Sequence, residues 1–320
     1  MSSETAPLLI GSTGDSLREA FGRALVELAR ERDDVVVLDA DIAGGTGTHH
    51  FRTAFPDRFY QFGIAEQNMM AVAGGMASLG LLPVVTTFAV FCLRALEQAR
   101  LSIAYSQRKV VIAGSHPGLD VGPDGGSAQC FEDLAAYRAI PGMTVISPAD
   151  PEEMGLATRA ALECDGPVYL RTGRSPAERL FDGDARFELG RGQVLRDGRD
   201  VTLVGCGVEV ARALRAADLL AGEGIDARVV NLSTLAPIDD ELLERCSRET
   251  GAFVTAEDHS LRGGLGSAVV ESLATHVPAP VEMIGLTEFG TSGEPDELAL
   301  RYGLEADSIA AAARRVLTRK

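Results

Sequence analysis

Short apolar, β-branched runs alternate with longer amphipathic stretches along most of this chain. Residues 35–38, 84–87, 110–113, 144–146 and 168–170 read as strands. Helical spacing is expected over about 16–31, 66–78, 90–105, 131–138 and 151–164. The periodicity then stops in a polar stretch at 175–190, rich in Pro, Gly and Asp, which reads as a linker. A second alternating series follows, with strands at 201–204, 227–230, 252–255 and 280–283. Its helices are expected over about 208–222, 239–249, 265–275 and 305–317. The pattern predicts two three-layer α/β domains, 8–180 and 190–320, each with a mainly parallel sheet flanked by helices. No short repeat is present.

Residues 67–93 carry no charge and are numerous enough to span a bilayer. Gly74, Gly75, Gly80 and Pro83 interrupt them, so the expectation is a buried helix at about 66–78, a turn, and a buried strand at about 84–88. A membrane span is the competing reading. The N-terminal residues lack the basic segment and apolar run of a secretory signal.

Among 320 residues, 46% are hydrophobic and 24% charged, as in a globular protein with a substantial core. The net charge of −16 repels nucleic acid and anionic membranes, which are therefore not expected partners. A small anionic substrate remains compatible, because a few Arg or His residues can override the global field. Five widely spaced cysteines with no C-x-x-C suggest a reduced, cytoplasmic protein without a disulfide framework or zinc site.

Several motifs carry candidate chemistry. In Phe62-Gly-Ile-Ala-Glu-Gln-Asn-Met69, Glu66 opens a helix whose next residues are apolar or amide. It is either an acid favoured by the helix dipole or a carboxylate walled in by apolar groups, with a raised pKa suited to proton transfer. Phe88 and Phe91, three residues apart, are either core or an aromatic face for a flat heterocycle. Gly205-Cys-Gly-Val-Glu-Val210 hints at a dinucleotide turn, but its third glycine is replaced by Val210 and no ribose-binding acid follows the next strand. Glu257-Asp-His-Ser260 has no Cys or second His at ligand spacing, so no metal site is expected on this chain.

Taken with the Gly122-Pro-Asp-Gly125 loop and Gly263-Gly-Leu-Gly266, these segments resemble, in order, the C-terminal half of transketolase in its form split over two chains. That family uses thiamine diphosphate and Mg²⁺. The resemblance assigns Glu66 to N1′ of the aminopyrimidine, where a carboxylic acid favours the imino tautomer that removes the thiazolium C2 proton. It places Phe91 on the pyrimidine ring, with Phe88 and Ile64 in the same pocket, and Asp41 near the thiazolium end. On the substrate side it implies that His116 and Arg174 contact a sugar phosphate and Asp124 binds substrate hydroxyls, with Arg18 as a second phosphate-contacting arginine.

Two positions depart from the family pattern. Ala128 stands where a histidine would donate hydrogen bonds, and Gly45 stands where a phosphate-contacting serine is usual. These departures suggest an altered ketose donor or acceptor. His49 and His50 lie in the loop after the first strand and are expected to face solvent, with compensation for these two departures as the alternative. The family's diphosphate/Mg²⁺ motif, Gly-Asp-Gly followed by Asn, is missing, because every Asp-Gly here lacks a preceding glycine. A partner subunit must then carry it, giving a heterotetramer with two copies of each chain. The expected activity is transfer of a two-carbon ketol unit from a ketose phosphate to an aldehyde or other acceptor. Two rivals remain: the β subunit of a 2-oxo acid dehydrogenase or deoxyxylulose phosphate synthase-like enzyme, and a non-catalytic scaffold subunit.

Overall fold

A computed structural model describes residues 12–320. The N-terminal signal reading and residues 8–11 of the first expected domain lie outside the described residues. In chain order the first region comprises β1 (Thr13–Ser16), α1 (Leu17–Arg30), β2 (Val35–Asp39), α2 (Ala43–Thr46), α3 (His49–Ala54), β3 (Phe59–Gln61), α4 (Glu66–Ser78) and β4 (Leu82–Phe88). It continues with α5 (Ala89–Cys92), α6 (Leu96–Gln98), β5 (Val111–Ser115), α7 (Asp133–Arg138), β6 (Thr144–Ile146), α8 (Pro151–Glu163), β7 (Val168–Thr172) and β8 (Pro176–Glu178). The second region holds β9 (Gln193–Arg196), β10 (Val201–Gly205), α9 (Glu209–Ala221), β11 (Ala227–Asn231), β12 (Thr234–Ala236), α10 (Asp240–Thr250) and β13 (Phe253–Ser260). It ends with α11 (Leu265–Thr275), β14 (Val281–Leu286), α12 (Pro295–Tyr302) and α13 (Ala306–Leu317).

The first sheet has the order β12-β6-β7-β5-β4-β2-β3 and is parallel apart from β12; the second has the order β14-β13-β10-β11-β9 and is parallel apart from β9. The strands are apolar on both faces because helices cover both. In β2, Val35 and Val37 pack with α1 and α8, whereas Val36 and Leu38 pack toward α4. That second apolar cluster runs on into Val204, Val230 and Phe253 of the other sheet and the apolar faces of α10 and α11, so one core joins the two regions. No helix among the described residues is long and apolar enough to cross a membrane; residues 67–93 form α4, a turn, β4 and the start of a helical segment.

Three expectations need correction. Residues 90–105 are not one regular helix: α5, a 3₁₀ turn, α6 and a π-helical turn at Ala99–Tyr105 succeed one another. The irregular end packs backbone to backbone on α4, where a Cβ on Gly74 would lie 2.4 Å from the Ser102 carbonyl oxygen. The 175–190 stretch is not all linker, since β8 pairs antiparallel with β1. β12, within the expected second domain, instead hydrogen-bonds to β6 of the first sheet. Strands β1, β3, β9 and β12 have three or four residues each, too few to show a period of two, and the ladder partner holds them.

Candidate active site

In a parallel sheet the carboxyl ends of the strands share one edge, and the loops beyond them form a crevice. Here those segments carry Asp41 after β2, Phe88 at the end of β4 and Phe91 in α5 beyond it, His116 to Asp124 after β5, and Arg174 after β7. Glu66 reaches the same region as the first residue of α4. Its side chain is buried, but not among apolar groups alone. The Nε of Arg94 lies 3.3 Å from Glu66 Oε2, and Arg94 is 64% exposed. Sequence reasoning missed Arg94, which lies in the 3₁₀ turn that follows α5.

The Phe88 and Phe91 rings are nearly parallel, with centroids 5.7 Å apart and planes 8° from each other. Phe88 also stacks on His116 at 3.8 Å. His116 is buried at φ 58°, a backbone region uncommon outside glycine, and its Nδ1 is 2.8 Å from Ser115 Oγ. Burial, with the nearby Arg18 and Arg174 guanidinium groups, pushes its pKa down to about 3. The expected phosphate contact is therefore a neutral, buried imidazole, able to meet an anion only through a neutral N–H. Gly45 accounts for the packing: a Cβ there would sit 2.8 Å from the Phe88 ring, and the Gly45 carbonyl accepts a hydrogen bond from Ser115 Oγ at 3.2 Å.

The same carbonyl accepts from Arg18 Nη1 at 3.1 Å, so Arg18 does stand beside His116, while its buried Nε has no protein partner. A buried guanidinium N–H without a partner is what an anion subsite would leave when only protein atoms are present. Arg174 donates from Nη1 to the Val121 carbonyl at 2.7 Å, and its Nη2 is 3.8 Å from the exposed carboxylate of Asp124. Asp41 also has positive φ, at 68°, and its backbone N–H donates to Gln61 Oε1 at 2.8 Å. Ile64 is 81% exposed, an uncovered apolar side chain two residues before Glu66. Ala128 is half-buried and adds no polar group to the loop. His49 and His50 are half-buried instead of solvent-facing, and His50 Nε2 is 2.7 Å from Glu19 Oε2.

A buried scaffold, also unforeseen, holds these loops in place. The Asp258 carboxylate on β13 accepts the backbone N–H groups of Leu119 and Asp120 at 2.8 and 3.2 Å. The Asp120 carboxylate in turn accepts the N–H groups of Arg174 and Ser175 at 2.6 and 3.1 Å. Arg171 links the layers, donating to Asp133 at 2.9 and 3.0 Å and to the Asp258 carbonyl at 3.0 Å. Burial opposes ionisation of Asp133, but Arg171 and His259 outweigh it and its pKa is lowered. Glu257 caps α11 by accepting from the N–H groups of Leu265 and Gly266 at 2.7 and 2.8 Å; burial raises its pKa to about 7. The acid/His segment of β13 is thus a structural junction between the two sheets.

The family model for the transketolase pyrimidine-binding domain matches residues 15–178, and that for the transketolase C-terminal domain matches residues 190–309. The chain is 42% identical over 299 residues to a putative transketolase C-terminal section of Methanocaldococcus jannaschii, covering 92% of this chain and 94% of that protein. It is 41% identical over 306 residues to a 6-deoxy-6-sulfo-D-fructose transketolase subunit of Clostridium sp. (strain MSTE9), covering 95% of both. A solved split-gene transketolase, in an inactive β4 tetramer, superposes with a TM-score of 0.88 at 48% identity, covering 95% of this chain and 99% of that one. This chain belongs to the transketolase family of transferases, in the form of its C-terminal, β-subunit half.

Proposed function

We propose that this chain supplies the pyrimidine-binding and substrate-phosphate-binding half of a split, thiamine-diphosphate-dependent transketolase. The active site would lie between it and an α-type partner, in an assembly with two copies of each. The observation that carries this reading is that the buried Glu66 carboxylate and the parallel Phe88 and Phe91 rings are carried on the same sheet edge. A carboxylate flanked by an aromatic face fits an aminopyrimidine. No Gly-Asp-Gly occurs in the sequence to hold a diphosphate, so the fit is to the pyrimidine half alone, and Mg²⁺ with its ligands falls to the partner.

Thiamine diphosphate, when bound, supplies the carbon nucleophile and electron sink for breaking the bond next to a ketose carbonyl. Glu66 would hold a proton toward the pyrimidine ring nitrogen, and the mostly exposed Arg94 would turn away from it into solvent. Phe91 would stack on the ring, while Phe88 and Ile64 exclude water from its edge and Asp41 flanks the far end of the crevice. Arg18, Arg174 and neutral His116 would orient the phosphate of a ketose phosphate, with Asp124 accepting from its hydroxyls. Forked guanidinium groups give that anion a fixed geometry. The donor gives up a two-carbon ketol unit, which passes to an aldehyde or other acceptor. Ala128 and Gly45 shape which sugars fit. The free, mostly buried cysteines accord with a reducing compartment such as the cytoplasm.

Calorimetric titration of thiamine diphosphate with Mg²⁺ tests the division of labour. The lone chain should give no heat, and the chain mixed with an α-type partner should bind. Tight binding by the lone chain would overturn the split-site reading.

A further inference from the structure

Away from the pyrimidine face, the first turn of α1 meets α3. Gly47 has φ 77°, and a Cβ there would lie 2.1 Å from the Arg18 carbonyl oxygen. A Cβ on Gly22 would lie 2.2 Å from the Gly47 carbonyl oxygen. Two glycines therefore let the backbone of α1 touch the turn that leads into α3, and this contact brings three side chains together. Glu19, His49 and His50 each present a ligand-type atom, and the three atoms lie within 4.8 Å of one another. The imidazole rings are 4.0 Å apart, His50 Nε2 is 2.7 Å from Glu19 Oε2, and His49 Nδ1 is buried with no hydrogen-bond partner.

We infer that Glu19, His49 and His50 form a binding site for a divalent transition-metal ion such as Zn²⁺. Two imidazoles and one carboxylate are a donor set for borderline metals, whereas Mg²⁺ and Ca²⁺ prefer oxygen alone. Bonds of about 2.0–2.2 Å require ligand atoms no more than roughly 4.2 Å apart, which small side-chain rotations supply from the present spacing. The unpartnered His49 nitrogen gains a partner, and the ion replaces the His50–Glu19 hydrogen bond with a bond to each residue. The fourth position is left for water. Such an ion clips α1 to α3 across the segment that carries Gly45, and it shares no ligand with the Mg²⁺ expected on the partner subunit. Nothing in this inference depends on the thiamine reading.

Isothermal titration of Zn²⁺ into the full chain, metal-stripped and kept reduced, tests it, with Mg²⁺ as the comparison ion. We expect one Zn²⁺ per chain, no matching heat from Mg²⁺, and affinity about tenfold weaker or worse in both His49→Ala and Glu19→Gln. Added Zn²⁺ should raise the melting temperature of the parent chain and not that of the variants. Cobalt substitution should give a visible spectrum without a thiolate charge-transfer band. Cys164→Ser and His276→Ala, which alter a half-buried thiol and a surface imidazole elsewhere, should bind as the parent does. Glu19→Gln removes a partly exposed carboxylate and keeps the inference testable if His49→Ala fails to fold. Absence of Zn²⁺ binding, or binding that survives in the folded Glu19 or His49 variant, would overturn it.

Discussion

Arg94 Nε lies 3.3 Å from Glu66 Oε2, so this buried acid at the start of α4 is met by a guanidinium that is itself mostly in solvent. Glu66 has lost its hydration, and Arg94 returns part of it without enclosing the site. The pair should therefore couple weakly. We expect Arg94→Gln to destabilise the chain and Glu66→Gln to remove most of that sensitivity, with a coupling of about 0.5–1 kcal/mol, reduced by exposure. A double-mutant cycle in urea measures it. Strictly additive effects would mean that the contact contributes nothing to the folded state.

The role proposed for the same acid in the assembled enzyme is chemical. Glu66→Gln keeps the size and one oxygen acceptor but cannot give and take a proton. Ketol transfer should fall by about 10²–10⁴, the range for a lost general acid–base group, with a smaller change in cofactor affinity. Steady-state kinetics at saturating thiamine diphosphate separates the two. Undiminished transfer would favour the scaffold-subunit rival.

Gly45 and Phe88 offer a steric test of the substrate side. A side chain at 45 would begin 2.8 Å from the Phe88 ring, which is itself stacked on His116, so the serine expected from the family cannot enter without moving both rings. Gly45→Ser should cost about 1–3 kcal/mol through this overpacking and shift the KM for phosphorylated ketoses more than that for cofactor. Chemical denaturation and substrate-varied kinetics test the two halves of the statement. An equally stable variant would show that the ring has space to swing.

The strand–helix alternation made the two sheets legible because fully buried parallel strands such as β2, β4, β5 and β7 write continuous apolar runs into the sequence. The family resemblance grouped Glu66, Phe88, Phe91, Asp41 and Arg174, and each of them lies at or just beyond the carboxyl edge of the first sheet. What stayed hidden depends on long-range geometry. Arg94 reaches Glu66 from a segment whose 3₁₀ and π turns have no simple period. Asp258 holds the 119–124 loop across 139 residues of chain, a relation that no local spacing reveals. The stack of His116 on Phe88 requires a positive φ that a histidine does not advertise. Glu19 meets His50 where Gly22 of α1 and Gly47 of the turn before α3 leave two Cβ atoms out of a close backbone contact.

His116 gives the chain a defined response to acid. Its pKa falls from an ordinary value near 6.5 to about 3 in the folded state because burial and the two arginines disfavour the imidazolium. Below pH 6.5 the unfolded chain takes up a proton at this position that the folded chain refuses, so stability is lost as pH falls and is unaffected above pH 6.5. The loss is about 1.4 kcal/mol per pH unit at most, down to the folded pKa. His116→Asn keeps a residue that tolerates positive φ but cannot titrate there. At pH 8 the parent should be the more stable, through the lost stack and hydrogen bond; toward pH 5 the gap should narrow, since only the parent bears the protonation cost. Urea unfolding of both proteins across that range isolates the effect, because His259 and the buried glutamates are common to both and cancel. A gap that stays constant between pH 8 and 5 would mean that His116 is not held neutral, and that a charged imidazolium stands beside Arg18 and Arg174.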